Sequence, residues 1–418
     1  MYSQINKDQP IVQKYGGTSV GNVDRIRSIA ARVAQQKAAG WRKIAVVVSA
    51  MAGETNRFVE LVGMVNPDAA AKHYDLAVSA GEQVSTALMA AALEREGVPA
   101  EAFLAYQIGL RAEGLHAKAR IHSIETDKLE ACWEAGGVPV VAGFQGVSAQ
   151  NKLMTLGRGG SDISAVALAV ALKASFCEIN TDVEGVFTAD PRVVPEARLV
   201  EILDYDSALE MAALGSKVLH SRCVELGAKY GMPIVVRNSF DIEEARRTRI
   251  MSFTESQALE APVVTGVSLD RNVCKFTLTG LKRGSSVLSA VFERVAEAGA
   301  NVDIIIQNEL ADSDLMRLGF TVGSVDGKLA AQALSGLRAE PNFEGMEFSE
   351  RGDLAKVSVV GLGMKSYAGV ASRAFAALAE VGIEILMTST SEIKISCVVP
   401  ADRADEAARA WHNAFFAN

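Results

Sequence analysis

Three short segments combine residue types suited to phosphate and carboxylate chemistry. The first is Lys14-Tyr15-Gly16-Gly17-Thr18-Ser19. Glycines at a turn let backbone N–H groups approach a phosphate, and a following helix N-terminus adds partial positive charge. The lysine precedes the glycines, so the segment is not a Walker A loop. Seen alone, a Gly-Gly pair after a strand is most simply a turn. The second is Gly157-Arg158-Gly159-Gly160-Ser161-Asp162, which opens an apolar, small-residue helix over 163–172. Arg158 offers a planar fork for a carboxylate. Asp162 offers an anion for an ammonium, or an orienting partner for lysines near phosphate. The plainer reading is a capping Ser161 and an aspartate favoured by the helix dipole; it leaves the arginine between glycines unexplained. The third is Thr181-Asp182-Val183-Glu184-Gly185-Val186-Phe187-Thr188-Ala189-Asp190-Pro191-Arg192. It follows a strand and could grip a nucleotide, or be a β-turn punctuated by Asp-Pro.

Weaker signals are Ser49, Thr55, Glu82 in Ala80-Gly81-Glu82, and Lys217 in Gly215-Ser216-Lys217. Each, taken singly, reads as a surface or capping residue. Gly361-x-Gly363 lacks the third glycine of a dinucleotide fingerprint and reads as a turn.

The elements that must position these residues alternate. Strands are expected at 11–14, 44–49, 138–142, 176–180 and 233–237. A helix is expected over 24–39, capped by Asn22, with Ile26, Ile29, Ala30 and Val33 as its apolar stripe. Strands alternating with helices imply an α/β layered domain with a mainly parallel sheet. Charged residues over 241–260 suggest a boundary. Beyond it lies a repeat. Lys275-Phe-Thr-Leu-Thr-Gly-Leu281 matches Lys356-Val-Ser-Val-Val-Gly-Leu362 at a spacing of 81. Helices over 287–298 and 369–381 follow, each running into a strand, at 301–304 and 382–385. Two ferredoxin-like units are therefore expected.

A length of 418 residues, 49% of them apolar, allows two or three domains. A net charge of -8 without a basic run argues against nucleic acid as a partner. The polar first ten residues are not a signal peptide, and the apolar runs are too short to cross a bilayer. Five unpatterned cysteines suggest reduced thiols and a cytoplasmic protein, and the five histidines show no zinc spacing, so no metal-ligating residue is expected.

Taken together, six segments resemble the aspartate kinases of the amino-acid kinase superfamily, in the family's order and over nearly the whole chain. They are Lys-Tyr-Gly-Gly-Thr-Ser, Val-Ser-Ala-Met from Val48, Ala-Gly-Phe-Gln-Gly (142–146), Thr-Leu-Gly-Arg-Gly-Gly-Ser-Asp (155–162), Thr-Ala-Asp-Pro-Arg (188–192) and Ser-Thr-Ser-Glu-Ile (389–393). The resemblance implies an αβα sandwich, carbamate-kinase-like catalytic domain (1–245), a linker (246–260) and two ferredoxin-like βαββαβ ACT domains (261–350 and 351–418). It implies ATP-dependent phosphorylation of the β-carboxylate of L-aspartate, with Mg2+. ATP would contact Lys14, Tyr15, Gly16, Gly17, Ser49, Thr181, Asp182, Phe187, Thr188, Ala189, Asp190, Pro191, Arg192 and Lys217. Aspartate would contact Thr55, Glu82, Arg158, Gly159, Gly160 and Ser161. Lys14, Asp162 and Lys217 would be the catalytic set.

In the family, effectors such as lysine and threonine bind at ACT interfaces. Here the matching positions are Asn301, Val302, Asp303, Gln307, Val370, Ala371, Glu384, Ile385, Ser391 and Glu392. One loop departs: Arg283-Gly284-Ser285-Ser286 stands where an Asp-Lys-Pro-Gly-like turn is usual, which implies weakened or altered lysine inhibition. Residues 107–116 also diverge. A homodimer or larger homo-oligomer is expected. The alternatives are a sister kinase for another acidic amino acid and an inactive amino-acid-sensing homologue. The former would yield product only with a different acid, the latter none.

Overall fold

The computed structural model describes residues 6–213, 219–241, 246–253, 263–309, 313–362, 364 and 369–417. The chain forms two compact units: Met1–Phe187 with Arg198–Ala261, and Thr188–Ala197 with Pro262–Asn418.

In the first unit the strands are β1 (Ile11–Tyr15), β2 (Ile44–Val48), β3 (Ala100–Phe103), β4 (Arg111–Glu113), β5 (Arg120–Ser123), β6 (Val138–Ala142), β7 (Gln145–Val147), β8 (Leu153–Thr155), β9 (Cys177–Thr181), β10 (Ile202–Leu203), β11 (Ile234–Asn238) and β12 (Arg247–Ile250). The helices are α1 (Val23–Ala38), α2 (Glu54–Val65), α3 (Ala71–Val78), α4 (Ala80–Arg95), α5 (Asp127–Glu134), α6 (Gly160–Ala171), α7 (Tyr205–Ala213) and α8 (Ser221–Tyr230). The large sheet runs β10-β12-β11-β9-β1-β2-β6-β3. Its pairings are parallel except β11 with β12. A smaller sheet runs β5-β4-β7-β8.

The central strands are buried on both faces, which requires helices above and below. Ile11, Tyr15, Ile44, Val46 and Val48 pack with Ile29 and Val33 of α1 and with Met89 and Leu93 of α4. Side chains alternate along a strand. Lys14 therefore leaves β1 on the opposite face from Tyr15, the side where α6 lies. Asn22 caps α1 as its sequence predicts, its side chain accepting from the Arg25 N–H at 2.9 Å.

The segment 246–260, expected as a linker, begins inside the sheet. Thr248 and Ile250 of β12 are buried while Arg247 and Arg249 are only half-buried. The arginines made the stretch look like surface, and strand alternation hides its inner half. The helical run Ala71–Arg95 has the length and hydropathy of a membrane span, yet half of its most apolar window is buried within the unit.

The second unit holds β13 (Gly266–Lys282), β14 (Val302–Glu309), β15 (Leu315–Val322), β16 (Glu347–Val360), β17 (Met387–Thr390) and β18 (Lys394–Pro400) in one sheet, ordered β14-β15-β13-β16-β18-β17. The two long strands β13 and β16 pair antiparallel and serve both repeats. One core gathers Phe276, Leu278, Val291, Phe320 and Leu334. The other gathers Val267, Val357, Ala374, Leu378 and Trp411, with Ala189 and Val194 from the Thr188–Ala197 segment. The expected division at 350/351 thus falls inside β16, and the second repeat borrows the first residues of β13. The strand expected at 382–385 begins later, at Met387, because the turn after helix Val370–Glu380 uses those residues.

Candidate active site

A cavity of about 510 Å³ opens among the turns that leave β1, β2 and β8, beside α3 and the start of α6. Lys14, Gly17, Ser49, Thr55 and Glu82 line it, together with the stretch from Gly157 to Asp162. Segments far apart in sequence meet there because β1, β2 and β6 are adjacent parallel strands with their carboxyl ends together. In open α/β sheets such ends form the ligand crevice.

Lys14 is 8% exposed, and its Nζ lies 2.6 Å from Oδ1 of Asp162 in the first turn of α6. Gly17 has to be small, and Gly16 lies close against the lysine head. A Cβ on Gly16 would stand 3.3 Å from Lys14 Nζ, and one on Gly17 would stand 2.9 Å from the Ala50 carbonyl oxygen. The Gly16 N–H donates to the Asn180 carbonyl, tying the turn to the end of β9. Tyr15 turns away into the core, where burial pushes its hydroxyl up to about 12, so only its backbone belongs to the turn.

Glu82, in the first turn of α4, is 3% exposed. Its Oε1 accepts the Ala50 N–H at 3.1 Å, while Oε2 is buried without a hydrogen-bond partner. Burial pushes this carboxyl up to about 7. An orphaned buried carboxylate oxygen facing a cavity is costly unless a donor arrives to meet it. Gly159, with φ +70, begins α6; a Cβ there would strike the His220 side chain at 2.3 Å. That close approach fixes glycine beside Arg158.

Other expected contacts lie elsewhere. Thr181 and Asp182 sit at the end of β9, joined by a 3.1 Å bond from Thr181 Oγ1 to Asp182 Oδ1, outside the cavity lining. Phe187 bridges to Leu199. Thr188, Ala189, Asp190, Pro191 and Arg192 belong to the second unit and do not line the cavity. There Thr188 Oγ1 lies 3.0 Å from His412 Nε2, Ala189 enters the core, and Arg192 grips Asp190 at 2.7 Å. Lys217 lies outside the described residues.

Most of the expected effector residues fall on or beside two strands that share an apolar cluster through Ile304 and Met387. Val302, Asp303 and Gln307 are on edge strand β14, with Asn301 just before it; Glu384, Ile385, Ser391 and Glu392 flank β17 at the opposite edge. Val370 and Ala371 begin their helix, Val370 packing into the core and Ala371 exposed. Asp303 pairs with the buried Lys356 of β16.

Sequence reasoning missed part of the lining. Tyr74, Ala117, Phe144 and Thr155 also face the cavity. Phe144 has φ +67, unusual for a bulky residue. It lay within the Ala-Gly-Phe-Gln-Gly segment, which was a usable signal.

The sequence model of the amino acid kinase family matches residues 9–238, and that of an ACT domain matches 357–415. An aspartate kinase of Stutzerimonas stutzeri strain A1501 is 44% identical over 405 residues, 97% of each chain. The chain belongs to the aspartate kinases. The crystal structure of E. coli aspartokinase III in complex with aspartate and ADP is similar at a TM-score of 0.80 and 26% identity, covering 98% of this family member and 100% of that chain. Its lysine and aspartate complex, termed the T-state, aligns at a TM-score of 0.75 and 26% identity, with the same coverage.

Proposed function

We propose that the chain transfers the γ-phosphoryl group of ATP to the β-carboxylate of L-aspartate, giving ADP and 4-phospho-L-aspartate. The observation that carries this reading is one cavity holding the Lys14–Asp162 pair, Arg158 and the unsatisfied Glu82 Oε2. These groups match a dicarboxylic amino acid beside a polyphosphate. Arg158 forks the α-carboxylate, with Thr55 and the backbone from Gly159 to Ser161 beside it, and Glu82 takes the α-ammonium. The β-carboxylate, ionised at neutral pH, is itself the nucleophile, so no general base is required.

Catalysis is then positioning and charge neutralisation. Lys14 meets the transferring phosphoryl group, held in place by Asp162. Gly17 offers a backbone donor, and Ser49 lies alongside. Lys217 would add a second cation for the nucleotide, and Thr181, Asp182 and Phe187 would line it. Among the described residues no cluster of three or more His, Cys, Asp or Glu could hold a metal by itself. Mg2+ keeps its waters and enters on phosphates with one or two carboxylates; Asp162 is the acid at hand. When bound, the ion neutralises phosphate charge.

The proposal extends to a cytoplasmic enzyme at the head of the aspartate-derived amino acids, assembled as a homodimer or larger oligomer. The second unit would bind an amino-acid effector, lysine or threonine. Hydroxamate trapping with ATP, Mg2+ and a panel of acidic amino acids tests the reaction. Product with aspartate is expected; product only with another acid, or with none, overturns it in favour of the sister kinase or the sensor.

A further inference from the structure

One buried group beside the cavity has no part in the chemistry described so far. Asp75 of α3 is fully buried. Thr155 Oγ1 donates to its Oδ1 at 2.6 Å, and the Ala117 N–H reaches both oxygens at 3.1 and 3.2 Å. His116 Nδ1 lies 2.5 Å from Oδ2. A carboxylate only accepts, so the imidazole donates.

These donors hold a turn that would not hold itself. Ala117 has φ +61, a left-handed conformation that a non-glycine residue keeps only where its surroundings impose it. The turn joins β4 to β5 and leans on the loop that carries Arg158. A Cβ on Gly157 would lie 2.7 Å from the Ala117 carbonyl oxygen. The Ala119 N–H donates to the Thr155 carbonyl at 3.1 Å. Arg222 bridges the Leu156 and Ala119 carbonyls at 2.6 and 3.0 Å. Tyr74, Ala117, Thr155, Gly157 and Arg158 all line the same cavity.

We propose that Asp75 and His116 are positioning residues for the acceptor amino acid: together they fix the strained Ala117 turn against Gly157 and so set where Arg158 stands. This rests on the reading that Arg158 binds the α-carboxylate of aspartate. The clamp acts through Gly157 on Arg158, so its loss should be felt by aspartate and not by ATP.

The test is steady-state kinetics on the full chain. His116 has a partly exposed side chain, 27%, and Asp75 keeps its other donors when the imidazole goes. His116→Ala is expected to raise KM for aspartate about tenfold, as loss of a hydrogen bond to a charged group implies, with KM for ATP and Tm little changed. His116→Asn, whose amide can present an N–H in place of Nδ1–H, is expected to recover most of that loss. Should His116→Ala fail to fold, Thr155→Val, which removes a single donor to Asp75, is expected to give the same split between the two KM values.

Arg158→Ala is measured alongside. If it raises KM for aspartate while His116→Ala does not, the clamp is overturned and the carboxylate site stands. If Arg158→Ala leaves KM for aspartate unchanged, the carboxylate site falls and takes the clamp with it. A parallel rise of both KM values with a lower Tm, or no recovery in His116→Asn, makes His116 structural only and overturns the proposal.

Discussion

At the scale of single residues, charge placement decides the chemistry. Lys14 is nearly buried and paired with Asp162 at 2.6 Å, so its ammonium is pre-positioned and held by a partner of opposite sign. Lys14→Ala is expected to lower kcat by about 10²–10³, the usual loss for a removed oxyanion-type donor; single-turnover phosphoryl transfer checks it. Glu82 gives a pH signature. Its carboxyl is raised to about 7 by burial, from an ordinary 4.5. Below pH 7 it is protonated and offers less to an ammonium, so KM for aspartate should rise as pH falls through 7, and Glu82→Gln should abolish that dependence. The folded state also binds this proton more tightly than the unfolded state. Stability should therefore fall as pH rises from about 4.5 to 7, and the slope should vanish in Glu82→Gln. Thermal melts across that window test the sign.

Elements matter through how closely they approach. Gly81, one residue before Glu82 in α4, lies so near the turn after β2 that a Cβ there would stand 2.6 Å from Ala50 Cβ. The same Ala50 supplies the N–H that holds Glu82 Oε1. Gly81→Ala therefore pushes the helix from its turn and displaces the carboxylate. Overpacking of this kind costs about 1–3 kcal/mol. We expect a lower Tm together with a KM for aspartate that rises more than KM for ATP. Unchanged kinetics would show that α4 can slide without moving Glu82.

For the molecule as a whole, the regulatory half is one six-stranded body rather than two beads. β13 and β16 run through both repeats, and the Thr188–Ala197 segment, which leaves the first unit after Phe187 and returns at Arg198, is buried in the second repeat's core. One turn departs from the Asp-Lys-Pro-Gly-like turn that the resemblance leads one to expect. Arg283 lies 3.4 Å from Glu309 through Nη1, and its N–H donates to the Asp314 carbonyl, followed by Gly284 at φ +145. If an effector ammonium is met at this turn, as the resemblance implies, it faces a base in place of an acid. Lysine alone at sub-millimolar concentration is expected to inhibit weakly; strong inhibition in the coupled assay would refute this.

Much of this protein was legible from its residues. Local periodicity sufficed for β1, α1, β2 and β6, because an apolar stripe and a cap are properties of consecutive residues. The 81-residue register announced two related units, and Lys14, Arg158 and Asp162 stood out by type, whereas Glu82 read as a surface or capping residue and is in fact buried. Three things were decided only in three dimensions. Arg247–Ile250 looked like linker because half of an edge-side strand is arginine. The Thr-Ala-Asp-Pro-Arg run read as part of the nucleotide loop, yet Thr188 and Ala189 pack with His412 and the core around Trp411. Asp75 and His116 had no motif at all. Forty-one residues separate them, and the parallel order of the sheet, with the small sheet folded against it, is what brings a helix, a turn and a strand onto one carboxylate. A sequence specifies which groups can do chemistry; the distance between them is a property of the fold.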